Sequence, residues 1–441
     1  MSILKLELLS PAGDLTRLKY AFAYGADAVY LGLPDFSLRA KTGFDLESLK
    51  EGIEYAHKLK KKIYITINIF AHNKQIALLP DFLKKVKKLN PDAIIISDPG
   101  FLMLVKKHLP GIEVHLSTQM NVLNVEAVKF WHKNGVKRII LGREASLQDI
   151  KEIHKQVPKM ELEVFVHGAM CMSYSGRCYL SAWLNERSAN EGLCTQPCRW
   201  DYKLYMEEPL RPGMMIPLEE DEKGIYILNS KDLCLIQYLD QLAKAGVKCF
   251  KIEGRTKSHY YVSVVTKAYR QAIISLKQKN KSAVKKLNLE LQKVDNRGYT
   301  TGFLFGDEGI KRQEFTTSKM KSDWQFVGEI ISATSVIPAK AGIQESGSRL
   351  KPGMTKNQKI NKVKQQIVWF KAHNMLKAGE TFELLTPDNC HKIKIKEFKD
   401  ESGDKFQEVH GGTDKTYSFK ISKNIKIDRG LIRKELKKIS Q

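Results

Sequence analysis

Tyr24-Gly25-Ala26-Asp27-Ala28-Val29-Tyr30-Leu31-Gly32-Leu33 is the stretch whose reading decides the fold. An amphipathic segment, Asp14–Tyr24, ends on glycine, and an apolar run, Ala28–Leu33, follows almost at once. Glycine tolerates the left-handed backbone that closes a helix, so the stretch reads as a helix handing over to a strand. Asn134-Gly135-Val136-Lys137 and Ala245-Gly246-Val247-Lys248 repeat the device. Further strands are expected at Lys5–Leu9, Lys62–Ile69, Ala93–Ser97, Glu113–Ser117, Arg138–Leu141, Glu161–Val166 and Cys249–Glu253. Helical patterns separate them at Leu46–Lys60, Pro80–Lys88, Phe101–His108, Val125–Asn134 and Leu147–Gln156. Runs such as Ala93–Ile96 are apolar throughout, as parallel strands covered on both faces are. The pattern predicts an α/β fold whose N-terminal part is a (β/α)8 TIM-like barrel, with a doubly wound open sheet as the alternative.

Such barrels carry their chemistry at the C-terminal ends of the strands. Those ends include Ser10-Pro11-Ala12-Gly13, Asn68, Asp98, Thr118-Gln119, Gly142-Arg143-Glu144, His167-Gly168 and Glu253-Gly254-Arg255. A long irregular segment follows the seventh strand, and a βα loop of that length is usually functional. It carries Cys171, Cys178, Cys194, Cys198 and Cys234, spaced C-x6-C-x15-C-x3-C-x35-C, five of the seven cysteines in the chain. Soft thiolates gathered at one site select zinc or an iron–sulfur cluster. Structural zinc usually takes two close pairs, whereas here Cys194 and Cys198 alone are close, which favours a cluster. Five candidates serve four iron positions. Cys171, Cys178 and Cys194 are the first three expected ligands and Cys234 the fourth, with Cys198 as its alternative. Cys249, inside a strand, and Cys390, far along the chain, read as plain thiols.

The composition narrows the class of partner. Lys and Arg number 73 against 49 Asp and Glu among 441 residues, a formal charge of +24. So basic a surface attracts polyanions, nucleic acid foremost. No run of about 18 apolar residues is present and Met1–Ser10 lacks the pattern of a signal peptide, so a cytoplasmic protein with no membrane partner is expected. The character changes after the turn-rich Asp295–Phe303. Trp324–Ile330, Ile367–Phe370, Thr381–Leu385 and His391–Ile395 then read as a small antiparallel β-barrel-like domain. The expected domains are 1–305, the barrel, and 306–441, the β domain. Within the latter, 335–355 resembles translated mobile palindromic elements of bacterial reading frames and reads as an inserted surface loop.

The run from Glu163 to Ser181 resembles the signature of the collagenase-like peptidase family, once classed among peptidases of unassigned mechanism. The likeness continues through Ser230–Cys234, Phe250–Arg255 and Arg297–Phe303, and includes the opening Leu8–Gly13 and Ala26–Gly32. It covers nearly the whole chain apart from the insertion. The resemblance implies oxygen-independent or prephenate-dependent hydroxylation with a 4Fe-4S cluster, and the chain looks most like the branch that makes 5-hydroxyuridine at the tRNA wobble position. The implied RNA partner is an anticodon loop, whose bases are unstacked and able to rest on an aromatic ring.

Under that reading Tyr30, Tyr174 and Trp200 are the expected base-binding residues, with Tyr179 beside them. Prephenate, the possible co-substrate, is a dicarboxylate and needs guanidinium partners, for which Arg143, Arg177 and Arg255 are placed. Glu253 is expected at the catalytic site or as the partner of Arg255, and His167 as a base or a donor to the cluster. The resemblance leaves an electron donor or partner protein open and sets no oligomeric state. Two alternatives stand beside it: a cysteine peptidase using His167 and Cys171, and a non-catalytic RNA-binding cluster protein.

Overall fold

The computed structural model describes residues 6–34, 36–37, 43–171, 173–200, 204–207, 209–210, 212–213, 215–218, 230–278, 280–306, 312, 320, 322–336, 365–421 and 425–436. The chain divides into two compact units, Met1–Ser322 and Asp323–Gln441. The first unit runs past the expected boundary near 305, and beyond it the Lys231 N–H donates to the Arg312 carbonyl at 2.9 Å.

Eight parallel strands close the first unit into a barrel: β1 Glu7–Pro11, β2 Ala28–Gly32, β3 Lys62–Ile67, β4 Ala93–Ile96, β5 Glu113–Leu116, β6 Arg138–Ile140, β7 Glu161–Ala169 and β8 Val247–Ile252. Strand β8 completes the ring, aligning Cys249 with Glu7 of β1 and Phe250 with Val164 of β7. The helices are α1 Leu15–Ala23, α2 Leu46–Lys58, α3 Asn73–Leu89, α4 Pro99–His108, α5 Val125–Lys133, α6 Leu147–Gln156, α7 Leu180–Asn185, α8 Leu239–Lys244, α9 His259–Lys277 and α10 Lys281–Leu291.

Local chemistry explains most of the boundaries. Asp14, Asp98 and Ser146 each accept a hydrogen bond from a backbone N–H in the first turn of the helix that follows, which satisfies a donor otherwise left bare. Gly25, Gly135 and Gly246 all have positive φ, as the helix-to-strand reading requires. Helix α3 begins seven residues before Pro80, where the sequence suggested it would start. Proline usually opens a helix, but here the apolar face of Leu79, Leu83 and Val86 packs inward and the helix runs through it.

The pairing of β7 with β8 is irregular at the end that matters. Phe165 aligns with Lys251, yet the next residue of β8, Ile252, aligns with His167. Strand β7 therefore advances two residues while β8 advances one, which is a β-bulge. Just beyond it Gly168 has φ +111°, and a Cβ there would lie 2.8 Å from the Glu253 carbonyl oxygen. The loop after β7 then returns as a short strand, Asp232–Cys234, antiparallel to β7 with Cys234 opposite His167.

The second unit is an eight-stranded antiparallel sheet. Its longer strands are β9 Trp324–Val336, β10 Gln365–Ala372, β11 Thr381–Leu385, β12 Cys390–Lys394, β13 Thr416–Ile421 and β14 Leu431–Glu435, with the short Phe398–Lys399 and Lys405–Phe406 at one edge. Val327, Val368, Phe370, Phe382, Leu384 and Phe398 are among its fully buried residues. Ser335 and Val336 end β9; the rest of the expected insertion lies outside the described residues. Among the described residues no helix is long and apolar enough to cross a membrane.

Candidate cysteine-lined active site

A cavity of about 180 Å³ opens at the C-terminal ends of the barrel strands. Its floor comes from the strands themselves: Tyr30 on β2, Thr66 on β3, Ile95 on β4, Phe165 on β7 and Lys251 on β8. Its wall comes from the loop after β7, which contributes Cys171, Cys178, Cys194 and Cys198. Burial raises the Cys198 thiol, Arg199 opposes the shift, and Cys171, Cys194 and Cys178 each push it further up. Four thiols are thus within electrostatic reach of one cavity. Among the described residues no three of their sulfurs lie within 4.8 Å of one another.

The loop holds this shape through its own polar groups. The Thr195 N–H donates to Ser181 Oγ at 3.1 Å, Asn185 donates to Thr195 Oγ1 at 2.5 Å, and Ser181 is fully buried. Gln196 N–H points at Cys194 Sγ, 3.4 Å away. Gly176, at φ +71°, passes so close to Gln119 that a Cβ would lie 2.6 Å from it.

Cys234 is not part of this group. It is buried behind the barrel wall, with Sγ 3.8 Å from the Tyr269 hydroxyl and 3.8 Å from Asn288 Oδ1. Burial pushes its thiol up to about 11. The structure sets Cys198, the alternative fourth ligand, beside Cys171, Cys178 and Cys194, and Cys234, the first choice, apart from them. His167 also stands apart from the cavity. The bulge in β7 turns its ring away from the barrel interior toward α9, where Tyr261, Tyr269 and Tyr299 surround it at centroid distances of 6.0, 5.4 and 5.4 Å. Burial, with Lys257 nearby, holds its pKa at about 3, so it is a neutral imidazole.

The arginines divide. Arg143 lines the cavity, stacks its guanidinium 4.1 Å from the Phe165 ring centroid, donates to the Ala169 carbonyl at 2.6 Å and pairs with Glu253 at 3.5 Å. Its Nε is buried with no hydrogen-bond partner. Arg255 also lines the cavity and donates to Ser37 Oγ at 2.6 Å and Thr66 Oγ1 at 2.9 Å. Arg177 is exposed and lies outside the cavity lining. Of the aromatics, Tyr30 is buried in the floor and donates to the Ile252 carbonyl at 3.0 Å. Tyr174 lines the mouth and is 63% exposed. Trp200 is half-exposed and outside the lining, and Tyr179 is exposed.

Two further residues, Lys251 and Gln119, line the site. Lys251, buried among apolar neighbours, sits 4.3 Å from the Tyr30 ring centroid and 2.8 Å from Glu163 Oε1. The sequence reading passed it over; a lysine one residue before the C-terminal end of a barrel strand is the signal that could have found it. Gln119 accepts from Asn68 at 2.7 Å, while its own Nε2 is buried without a partner. Trp183 on α7 is 71% exposed beside the cysteine loop.

The chain thus sets a cysteine-walled, arginine-bearing pocket at the C-terminal mouth of an eight-stranded barrel. The chain belongs to peptidase family U32, which residues 13–314 match. It is 44% identical over 364 residues to "tRNA hydroxylation protein P" of Escherichia coli (strain K12), covering 74% of this chain and 80% of that one. It is 38% identical over 434 residues to "tRNA hydroxylation protein P" of Haemophilus influenzae, covering 89% and 88%. It is also 38% identical over 269 residues to the "23S rRNA 5-hydroxycytidine C2501 synthase" of E. coli, covering 61% and 39%.

Proposed function

We propose that this chain is a cytoplasmic RNA hydroxylase that forms 5-hydroxyuridine at the wobble position of tRNA. In this reading Cys171, Cys178, Cys194 and Cys198 hold a 4Fe-4S cluster, and a prephenate-like dicarboxylate is the oxygen donor. The observation that carries the reading is the gathering of four thiols and two guanidinium groups around one cavity. The names of the relatives support RNA hydroxylation, and four thiols lining one cavity are a donor set that an iron–sulfur cluster takes.

When bound, the cluster supplies electron-transfer chemistry at the cavity wall. The protein's own residues prepare the rest. Arg143 and Arg255 present fixed guanidinium groups that match carboxylates in bidentate fashion. Glu253 neutralises Arg143 while no anion is present, and an incoming carboxylate exchanges with it. Phe165 and Tyr30 make the floor apolar beside these charges, which strengthens their hold on a ligand that has shed its water. Tyr174 offers its exposed ring at the mouth, where an unstacked uridine can rest.

The peptidase alternative needs a base beside a nucleophilic thiol. No histidine is present among the described residues that line the cavity, and His167 is enclosed elsewhere. Both facts weigh for hydroxylation over proteolysis. The test is nucleoside mass spectrometry of tRNA from a deletion strain of a bacterium carrying a close relative. Complementation with this chain is expected to restore 5-hydroxyuridine, and the Cys171→Ala chain is expected to leave the uridine unmodified. Restoration by both chains alike would overturn the reading.

A further inference from the structure

The second unit carries a groove of about 790 Å³ that the mechanism above does not use. Along β12 and just past it, Ile393 and Ile395 are buried while Lys392, Lys394 and Lys396 are exposed. The period of two therefore sets three ammonium groups in a row, about 6.8 Å apart. Lys420 of β13 lines the same groove, and the pairing of Trp369 of β10 with Ser418 sets the half-exposed indole on the same face of the sheet as Lys420. Three carboxylates share the groove: Glu397 lies 3.1 Å from Lys405 and 4.0 Å from Lys399, Asp400 accepts from the Ser402 and Asp404 N–H groups, and Glu401 accepts from Thr416. Among the described residues Lys392, Lys394, Lys396 and Lys420 make no ion pair. Lys392, Lys394, Lys396, Lys399 and Lys420 outnumber the three carboxylates of the groove, and a regular row of cations beside a partly exposed indole matches single-stranded nucleic acid, whose phosphates repeat and whose bases stack.

We propose that this groove binds the phosphodiester backbone of single-stranded RNA, with a base resting on Trp369. The inference rests on the RNA reading above and adds a second contact surface to it. The test uses the full chain and fluorescence anisotropy with labelled oligouridine and with a tRNA transcript, over a salt series. The variant Lys392→Gln/Lys394→Gln/Lys396→Gln is expected to bind both at least tenfold more weakly at ~0.1 M salt. Its slope of log K against log salt should fall by about two, three phosphate contacts at ~0.7 each. The Lys→Arg triple variant is expected to bind as the parent does, and Trp369→Ala to weaken oligouridine binding about tenfold. Parent-like affinity and slope in the Gln variant would overturn the groove while leaving the hydroxylase reading intact. Failure of the parent to bind RNA at all would overturn both, and polyglutamate competing as well as oligouridine would reduce the groove to a general cation patch.

Discussion

Cys234 Sγ and the Tyr269 hydroxyl lie 3.8 Å apart, sealed from the cavity that holds the other four loop cysteines. The hydroxyl is itself anchored to the Val166 carbonyl at 2.6 Å, so the pair belongs to the packing between β7 and α9. Cys234→Ala is therefore expected to keep iron and acid-labile sulfide at parental levels after anaerobic purification, with at most a modest loss of stability. Cys198→Ala is expected to lose most of both. Iron and sulfide analysis beside visible absorbance decides it, and the reverse pattern would return Cys234 to the ligand set.

Arg143 is held by a carbonyl, a ring and a carboxylate, so its guanidinium is already aimed when a ligand arrives. Hydrogen bonds to charged groups contribute about 1.5–3 kcal/mol. Arg143→Met is expected to lower kcat/KM for the carboxylate donor by ~10- to 150-fold while the iron content stays unchanged. Arg143→Lys is expected to recover little, because an ammonium lacks the planar fork. Unchanged kinetics in Arg143→Met would remove this residue from the donor site.

The barrel was legible because it is built from local regularities: apolar runs such as Ala93–Ile96, glycine-closed helices and capped starts. The C-terminal antiparallel sheet was legible from its alternation. What the sequence left open turns on tertiary detail. His167 was expected as a base or a donor to the cluster, and strict alternation with Phe165 would face it into the barrel. One extra residue in β7, opposed by none in β8, reverses its face. Cys198 and Cys234 are both cysteines in a long loop, and only the return of Asp232–Cys234 as an antiparallel strand separates them. Arg143 and Arg255 could be placed because both stand at strand ends, whereas Arg177 lies in irregular chain whose path no periodicity describes.

The floor of the site rests on a buried ion network. Glu163, fully enclosed, receives Lys251 at 2.8 Å and Arg138 at 3.4 Å, and Arg138 also meets Glu7 at 2.6 Å. The two cations hold the Glu163 carboxyl below its usual range despite the burial that opposes ionisation. Removing one partner from a buried pair costs about 3–5 kcal/mol, because the other charge is stranded. Glu163→Gln strands Lys251 and is expected to lose stability in that range. Lys251→Met leaves Glu163 with Arg138 and should cost less. Urea unfolding followed by fluorescence tests the order, and equal losses would mean that Arg138 gives Glu163 no compensation.

His167 makes the acid limb of stability testable. An imidazole in an unfolded chain titrates near 6.5, while in the folded protein burial, with Lys257 adding to it, holds this one at about 3. Between those values the unfolded chain takes up a proton that the folded chain refuses, so stability rises with pH across the interval. The contribution is complete above about pH 6.5 and is lost as pH falls toward 3, at up to ~1.4 kcal/mol per pH unit. His167→Gln removes this one proton while leaving every carboxylate in place. Its unfolding free energy is expected to fall less steeply than the parent's between pH 6 and 4, by about one bound proton. Parallel pH profiles would mean that the imidazole is protonated in the folded state after all, and with it that the tyrosine enclosure behind β7 admits charge.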